Sequence, residues 1–280
     1  MRNCFPVFGG NRYVAVSTMA DLVHSLTKQE IYRYALAMRR EGRLYDLAHP
    51  TLGDVFAGSI DRFTEIAFRL RGCRKVLDVG SGHGMLLSLL SELGHECHGV
   101  DFIDQAEHYP DVYRSKPIQF RICNVEVDPL PFADDSFDSI TCCQVLEHFT
   151  HSHLPLMQEI RRVLRPGGIA EVDVPNAVSF RNRSRMLRGK HVTYDYVEHY
   201  LYAEPVLHKG RSFYPVRHNR EFTRDELRLL LEHAGFRHVE VEFLKSRHYR
   251  KGLERLKSIG TAVRDAVPSL RKSLIAFAEK

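Results

Sequence analysis

The six cysteines of this 280-residue chain (Cys4, Cys73, Cys97, Cys123, Cys142 and Cys143) include no C-x-x-C pair, which excludes a zinc ribbon or dithiol redox motif of that type. Four of them sit in or beside apolar runs that read as strands, so buried free thiols in a reducing compartment are expected. There is no low-complexity tract and no repeat with a period of about 20 to 50 residues, which sets aside solenoids and arrays. No long apolar run occurs either. Between Arg2 and Arg12 lies only a short, glycine-interrupted stretch, which provides neither a signal-peptide core nor a spanning helix, so the chain is expected to be soluble and cytoplasmic. A strong charge excess is also lacking. The net charge of +5 is too small to point to nucleic acid and fits an anionic substrate or surface.

What is present is a regular alternation of two periodicities. Apolar stripes over Met19–Arg40 and Asp54–Arg71 predict two helices in an N-terminal extension, residues 1–72. Strands are expected at Lys75–Val79, Glu96–Val100, Ile118–Cys123, Phe137–Cys142 and Gly168–Val174, and helices at Met85–Leu93 and Leu154–Leu164. Gly94 and the run Pro166-Gly167-Gly168 supply the helix stops. Such alternation implies an α/β domain, residues 73–280, with a parallel sheet covered on both faces. The pattern breaks over 175–220 and resumes at Thr223, whose spacing to Glu226 makes a capping box for a helix reaching His233. A strand at Val239–Leu244, a basic helical segment over 247–272 and a last strand at Ser273–Ala278 complete the reading.

The decapeptide Lys75-Val76-Leu77-Asp78-Val79-Gly80-Ser81-Gly82-His83-Gly84 is a strand running into a glycine-rich turn that opens a helix. Glycine permits torsions that side chains forbid and lets a ligand lie against the main chain at the carboxyl end of the strand. The third glycine of a dinucleotide fingerprint would fall on Met85, which is too bulky for that role. Asp78 would repel a pyrophosphate and suits a cationic methionine moiety. At the end of the next strand Asp101 is placed to accept hydrogen bonds from ribose hydroxyls. These features argue against a nicotinamide dehydrogenase.

The segments VLDVGSGHG, GVDF, NVEVDPLPFADDSFDSITCCQVLEHF and RRVLRPGG together resemble the class I S-adenosylmethionine-dependent methyltransferase family, closely over 75–175 and more loosely over 220–246. The resemblance implies a Rossmann-like, doubly wound, seven-stranded and mostly parallel sheet, with N-terminal helices and a helical insert after its fifth strand. It implies S-adenosyl-L-methionine as cofactor, held by Asp78, Gly80, Ser81, Gly82 and Gly84, with Asp101 on the ribose and Phe102 against adenine. Asn124 and Val125 would meet the adenine end. Most relatives carry Asp where this chain has Asn124, which keeps an acceptor oxygen and loses the charge. Gln144 would face the methionine end and the acceptor.

Glu147 and His148 are the candidate catalytic residues, with His148 as general base. In some related quinone-pathway O-methyltransferases the corresponding motif reads Glu-x-x-Glu-His and binds a divalent cation. Here Gln144 replaces the first carboxylate, so no metal is expected. His151 and His153 read as solvated, and His199, His208 and His218 are further candidate bases, beside Tyr194, Tyr196, Tyr200, Tyr202 and Tyr214. Arg181, Arg183, Arg185, Arg188 and Lys190 suit an anionic small-molecule acceptor such as a phosphorylated or lipid-linked sugar. The basic tail (Lys245, Arg247, Arg250, Lys251, Arg255, Lys257) packs on the sheet or touches an anionic membrane peripherally. The reading is therefore methyl transfer to a small molecule, most simply on oxygen. RNA methylation and a non-catalytic S-adenosylmethionine-binding scaffold are the alternatives, and the lack of an aromatic RNA-binding motif argues against nucleic acid. The sequence does not specify an oligomeric state.

Overall fold

The computed structural model describes residues 3–6, 13–16, 23–43, 50–193, 195–245 and 266–280. They divide into two compact units, one formed by the described residues up to 123 with 137–139, the other by 124–136, 140–245 and 266–280.

In the first unit β1 (Asn3–Pro6) and β2 (Tyr13–Val16) pair antiparallel, so the tail carries a two-stranded ladder. Helix α1 spans Lys28–Arg40 and α2 spans Pro50–Leu70. The apolar stripe suggested a helix from Met19. Residues 19–22 lie outside the described residues, and the continuous helix begins only at Lys28 because Thr27 and Glu30 form a reciprocal capping box. The buried residues of α1 are Ile31, Tyr32, Tyr34, Ala35 and Met38, all but Tyr32 belonging to the predicted stripe.

The remainder of this unit is β3 (Lys75–Val79), α3 (Met85–Glu92), β4 (Glu96–Asp101), the short helices α4 (Gln105–His108) and α5 (Pro110–Tyr113), and β5 (Ile118–Ile122). β3, β4 and β5 run parallel. α3 is buried at Met85 and at all four of its leucines, as expected of a helix sandwiched in the core. The Asp138 carboxylate accepts from the backbone amides of Arg74 and Lys75, both at 2.8 Å, and so fixes where β3 starts.

The second unit takes up most of β6 (Phe137–Cys143), a 3-10 turn at Leu146–His148, α6 (Leu154–Val163) and β7 (Leu164–Pro175). Then come α7 (Phe180–Leu187), a π-helical turn at Val197–Leu201, and the hairpin of β8 (Val206–His208) with β9 (Arg211–Phe213). The unit ends with α8 (Arg224–His233), β10 (Arg237–Phe243), a 3-10 turn at Pro268–Leu270 and β11 (Ser273–Glu279). The seven-stranded sheet has the order β10-β11-β7-β6-β3-β4-β5, with β11 antiparallel to both of its neighbours. This is the Rossmann-like, mostly parallel sheet the sequence implied.

The start of β7 differs from the sequence reading. Pro166-Gly167-Gly168 was expected to lie between helix and strand, yet β7 already begins at Leu164, and its ladder with β11 starts at Ile169. Gly168 is needed because a Cβ there would lie 2.8 Å from the Leu164 side chain. The basic segment predicted over 247–272 lies largely outside the described residues. Among those described, no helix is long and apolar enough to cross a membrane.

The acidic-aromatic block before β6 has a structural explanation. Arg162 of α6 donates to the carbonyl oxygens of Leu130 and Phe132 and to Asp134 and Glu159, while Glu159 accepts from the Leu130 amide. One guanidinium fork therefore organises the LPFADD loop, as its planar array of donors allows.

Candidate functional site

In the first unit, the glycine turn follows β3 as the sequence predicted. Gly80, Gly82 and Gly84 have φ of 73°, 46° and 68°, in the left-handed region open to glycine. The amides of Gly80 and Ser81 donate to the Val100 carbonyl, docking the turn on the end of β4. Asp101 then reaches over the turn. Its Oδ2 accepts from the Gly82 amide at 2.9 Å and its Oδ1 from the Ile103 amide at 3.2 Å. A carboxylate has about four acceptor positions, so each oxygen keeps one for a further donor such as a hydroxyl. Asp78 is buried beneath the turn, and Phe102 follows Asp101, half-buried.

Tyr113, which the motifs did not reveal, braces this turn from below. Its hydroxyl donates within reach of Ser81 Oγ (2.9 Å) and the Gly82 carbonyl (2.8 Å), and burial pushes its pKa well up, so it stays a phenol. A Cβ on Gly84 would lie 2.8 Å from Val112 and 3.0 Å from the Tyr113 ring, and one on Gly99 2.8 Å from Ser81 Oγ. The His83 ring lies 4.8 Å from that of Tyr109, and burial lowers its pKa against an opposing pull from Asp101.

In the second unit, Asn124 is buried, and its Oδ1 accepts from the Glu126 amide at 3.2 Å. Val125 is half-buried. Gln144, at the end of β6, has φ of 54°, unusual for a residue with a Cβ. It is held there by two bonds to Asp173 of β7: its amide donates to the Asp173 carbonyl (2.9 Å) and its Nε2 to Oδ1 (2.6 Å). Strained backbone of this kind costs about 1–3 kcal/mol and persists only where the surroundings enforce it. Asp173, Glu171 and Glu147 are all fully buried, and the Cys143 thiol donates to Glu171 at 3.4 Å.

Glu147 and His148 are joined here by His218, which arrives 70 residues later in the chain. The pinning is by backbone: Asn219 and Arg220 amides donate to the Glu147 carbonyl, and Asn219 Nδ2 donates to that of His148 at 2.7 Å. The His148 and His218 rings meet edge to face with centroids 5.0 Å apart. His218 Nε2 lies 4.0 Å from Glu147 Oε1, and its Nδ1 lies 3.7 Å from Glu221. Burial lowers the His148 pKa, and the neighbouring His218 adds to this against the Arg217 carbonyl. One ligand atom each from Glu147, His148 and His218 falls within a 4.8 Å cluster, a donor set of the kind that divalent metals accept.

The other candidate bases are placed differently. His208 is bonded to Asp128 at 2.9 Å, and His199 Nε2 lies 3.8 Å from the carboxylate of its neighbour Glu198. Tyr200 donates to the His218 carbonyl at 2.6 Å. The Arg217 guanidinium stacks on Tyr214 at 3.8 Å. Tyr196 and Tyr202 are exposed, and Tyr194 lies outside the described residues. His153 is not solvated as expected: its Nε2 bonds to the Leu146 carbonyl, it stacks on Phe149, and burial lowers its pKa. His151 binds Glu126 at 2.6 Å.

A cleft of about 240 Å³ opens beside Gln144 and His218. Asn176, fully buried, shapes its wall: Nδ2 donates to the carbonyls of Ser269 and Arg271, and Oδ1 accepts from Val178. Arg181 and Lys272 supply positive charge to the lining, and among the described residues neither pairs with a carboxylate.

Comparison with known proteins agrees with this fold. The chain is 33% identical over 100 residues to the mitochondrial ubiquinone biosynthesis O-methyltransferase of Mus musculus, covering 34% of this chain and 26% of that protein. The match thus spans about a quarter of that relative's length. It is 27% identical over 202 residues to the ubiquinone/menaquinone biosynthesis C-methyltransferase of Cupriavidus necator, covering 69% of this chain and 81% of that one. A solved structure of a Haemonchus contortus phosphoethanolamine N-methyltransferase, in complex with phosphomonomethylethanolamine and S-adenosylhomocysteine, superposes with TM-score 0.53. At 18% identity, covering 96% of this chain and 62% of that one, it shows the shared fold alone. The family model described as a methyltransferase domain matches residues 51–241, about two thirds of the chain, and the chain belongs to that family of S-adenosylmethionine-dependent class I methyltransferases.

Proposed function

We propose that this protein transfers a methyl group from S-adenosylmethionine to a hydroxyl oxygen of a small anionic acceptor held in the cleft of the second unit. The carrying observation is the lining of that cleft, which combines Arg181 and Lys272, without a carboxylate partner among the described residues, with His218. The cations suit a carboxylate or phosphate on the acceptor. His218, whose Nε2 lies 4.0 Å from Glu147 and whose Nδ1 lies 3.7 Å from Glu221, is the imidazole of that lining that can take the proton an oxygen nucleophile must lose. The oxygen–methyl bond forms as the sulfur–methyl bond breaks, the proton goes to imidazole, and S-adenosylhomocysteine leaves. Alignment of oxygen, methyl and sulfur supplies much of the rate. The relatives that act in ubiquinone biosynthesis support a small-molecule acceptor over RNA.

The test is transfer of a labelled methyl group to hydroxylated carboxylates, sugar phosphates and their neutral analogues. Anionic acceptors should be preferred, and Arg181→Gln should raise their KM about tenfold, the value of one charge-assisted contact of about 1.5 kcal/mol. Equal transfer to neutral analogues would contradict the reading. A second reading rests on the Glu147, His148 and His218 cluster, which would hold a divalent cation able to acidify the acceptor hydroxyl. Metal content of the purified protein, and activity after chelation and add-back, separate the two.

A further inference from the structure

Among the described residues, ten of the fifteen large apolar side chains that stand exposed fall between Phe180 and Val216. The same region, 180–217, carries eight Lys or Arg against three Asp or Glu, a net +5 equal to the charge of the entire chain. The two properties coincide at the end of α7. Met186 and Leu187 are 66% and 89% exposed, and Arg183, Arg185, Arg188 and Lys190 flank them.

These four cations have no carboxylate partner among the described residues. Arg183, Arg185 and Arg188 each donate Nε to a backbone carbonyl, of Val178, His191 and Ser184 respectively, which orients the guanidinium and leaves its charge uncompensated. A leucine left almost fully exposed gains nothing on folding and would gain on entering an apolar phase, and a solvated basic helix face gives no reason for Leu187 to be there. Both are accounted for by one kind of surface, an interface that is apolar a few ångströms below a layer of negative charge.

We propose that the end of α7 docks the protein on an anionic lipid bilayer, with Met186 and Leu187 entering the headgroup–acyl boundary and the four cations on the lipid phosphates. Aliphatic tips favour a bilayer over RNA, where exposed bases stack on aromatic or guanidinium planes. Reversible attachment is expected, because two aliphatic side chains and four charges fall well short of a spanning helix.

The experiment is co-sedimentation of the full chain with phosphatidylcholine vesicles, with and without about 30% phosphatidylglycerol, at low and at about 0.5 M salt. Binding should require the anionic lipid and be lost at high salt. Arg188→Gln with Lys190→Gln should weaken it about twenty-fivefold, from about fivefold per cation near an anionic surface. Leu187→Ser should weaken it at unchanged charge, and all these positions are exposed, so an unaltered thermal midpoint shows that folding is intact. Equal binding to neutral vesicles, no binding, or binding indifferent to the variants overturns the proposal. A salt-sensitive RNA complex lost in the charge variant, with no vesicle binding, would make this a nucleic-acid face. A concentration-dependent dimer abolished by Leu187→Ser would make it a contact between copies. Vesicle binding is read without methyl transfer, so its failure is distinct from failure of the proposed reaction.

Discussion

His148 bonds through Nδ1 to the carbonyl oxygen of Arg217 at 3.1 Å, and this relationship sets the chemistry available to the ring. A carbonyl only accepts, so Nδ1 carries the proton and Nε2 keeps its lone pair. Burial and the adjacent His218 depress the His148 pKa below its ordinary 6.5, so the ring is neutral at physiological pH. Protonating His148 would set a positive charge against the His218 ring 5.0 Å away, so methyl transfer should rise with pH through a point below about 6.5. His218→Gln, which removes the proposed base, should lower kcat by about 10²–10⁴ with little change in cofactor affinity, and His148→Gln should lower it less. A variant that loses affinity for S-adenosylhomocysteine in proportion to kcat would assign the residue to structure.

The same cause acts on several rings. His83, His95, His98, His148 and His153 all have pKa values lowered chiefly by burial. An unfolded chain takes up these protons first as pH falls, so folding stability is present above about pH 6.5 and is lost progressively below it. Thermal midpoints measured from pH 8 to 5 should fall across the lower part of that range. A flat or rising profile would show that these imidazoles accept charge in the fold.

Asp101 engages both the Gly82 and Ile103 amides, so its removal acts on the turn as well as on any ribose it binds. Calorimetry with S-adenosylhomocysteine should show Asp101→Ala weakened by at least about 1 kcal/mol, and NAD should not bind either protein. Unchanged affinity would remove Asp101 from the cofactor site.

The elements of the central sheet and the glycine turn were legible because each rests on local chemistry. Gly80, Gly82 and Gly84 adopt torsions that demand glycine, and Thr223 with Glu226 forms the capping box their spacing announced. Thr27 and Glu30 carry the same signature, but the apolar stripe running through them masked it. Tyr113 and the pairing of His218 with Glu147 were not legible, because each depends on contacts between segments distant in sequence. No periodicity or spacing encodes such a meeting. Asn124 illustrates a middle case: its acceptor oxygen was foreseen, and the structure gives that oxygen to the Glu126 amide.

Arg162 offers a test of the loop before β6. Its side chain is about one-third exposed and serves two carbonyls and two carboxylates at once. Arg162→Lys keeps the charge and loses the planar fork, so it should fail to rescue most of the stability lost in Arg162→Ala, about 1.5–3 kcal/mol. Full rescue by lysine, read from denaturant midpoints at unchanged slope, would show that charge alone matters.

Gly84 separates two reasons for a glycine. Its φ of 68° strains any residue with a Cβ, and that Cβ would also lie 2.8 Å from Val112. Gly84→Ala should therefore destabilise by more than the roughly 1 kcal/mol that a left-handed alanine alone costs. Shortening the nearest side chain in Gly84→Ala/Val112→Ala removes the collision with Val112 and leaves the tight approach to the Tyr113 ring and the torsional strain. The substitutions should then be non-additive: Val112→Ala alone costs stability by opening a cavity, yet should cost less, or even help, when Gly84 is already alanine. Strict additivity would mean that the close packing of Val112 on the turn has no part in keeping glycine at position 84, and would leave that to backbone torsion and the Tyr113 ring.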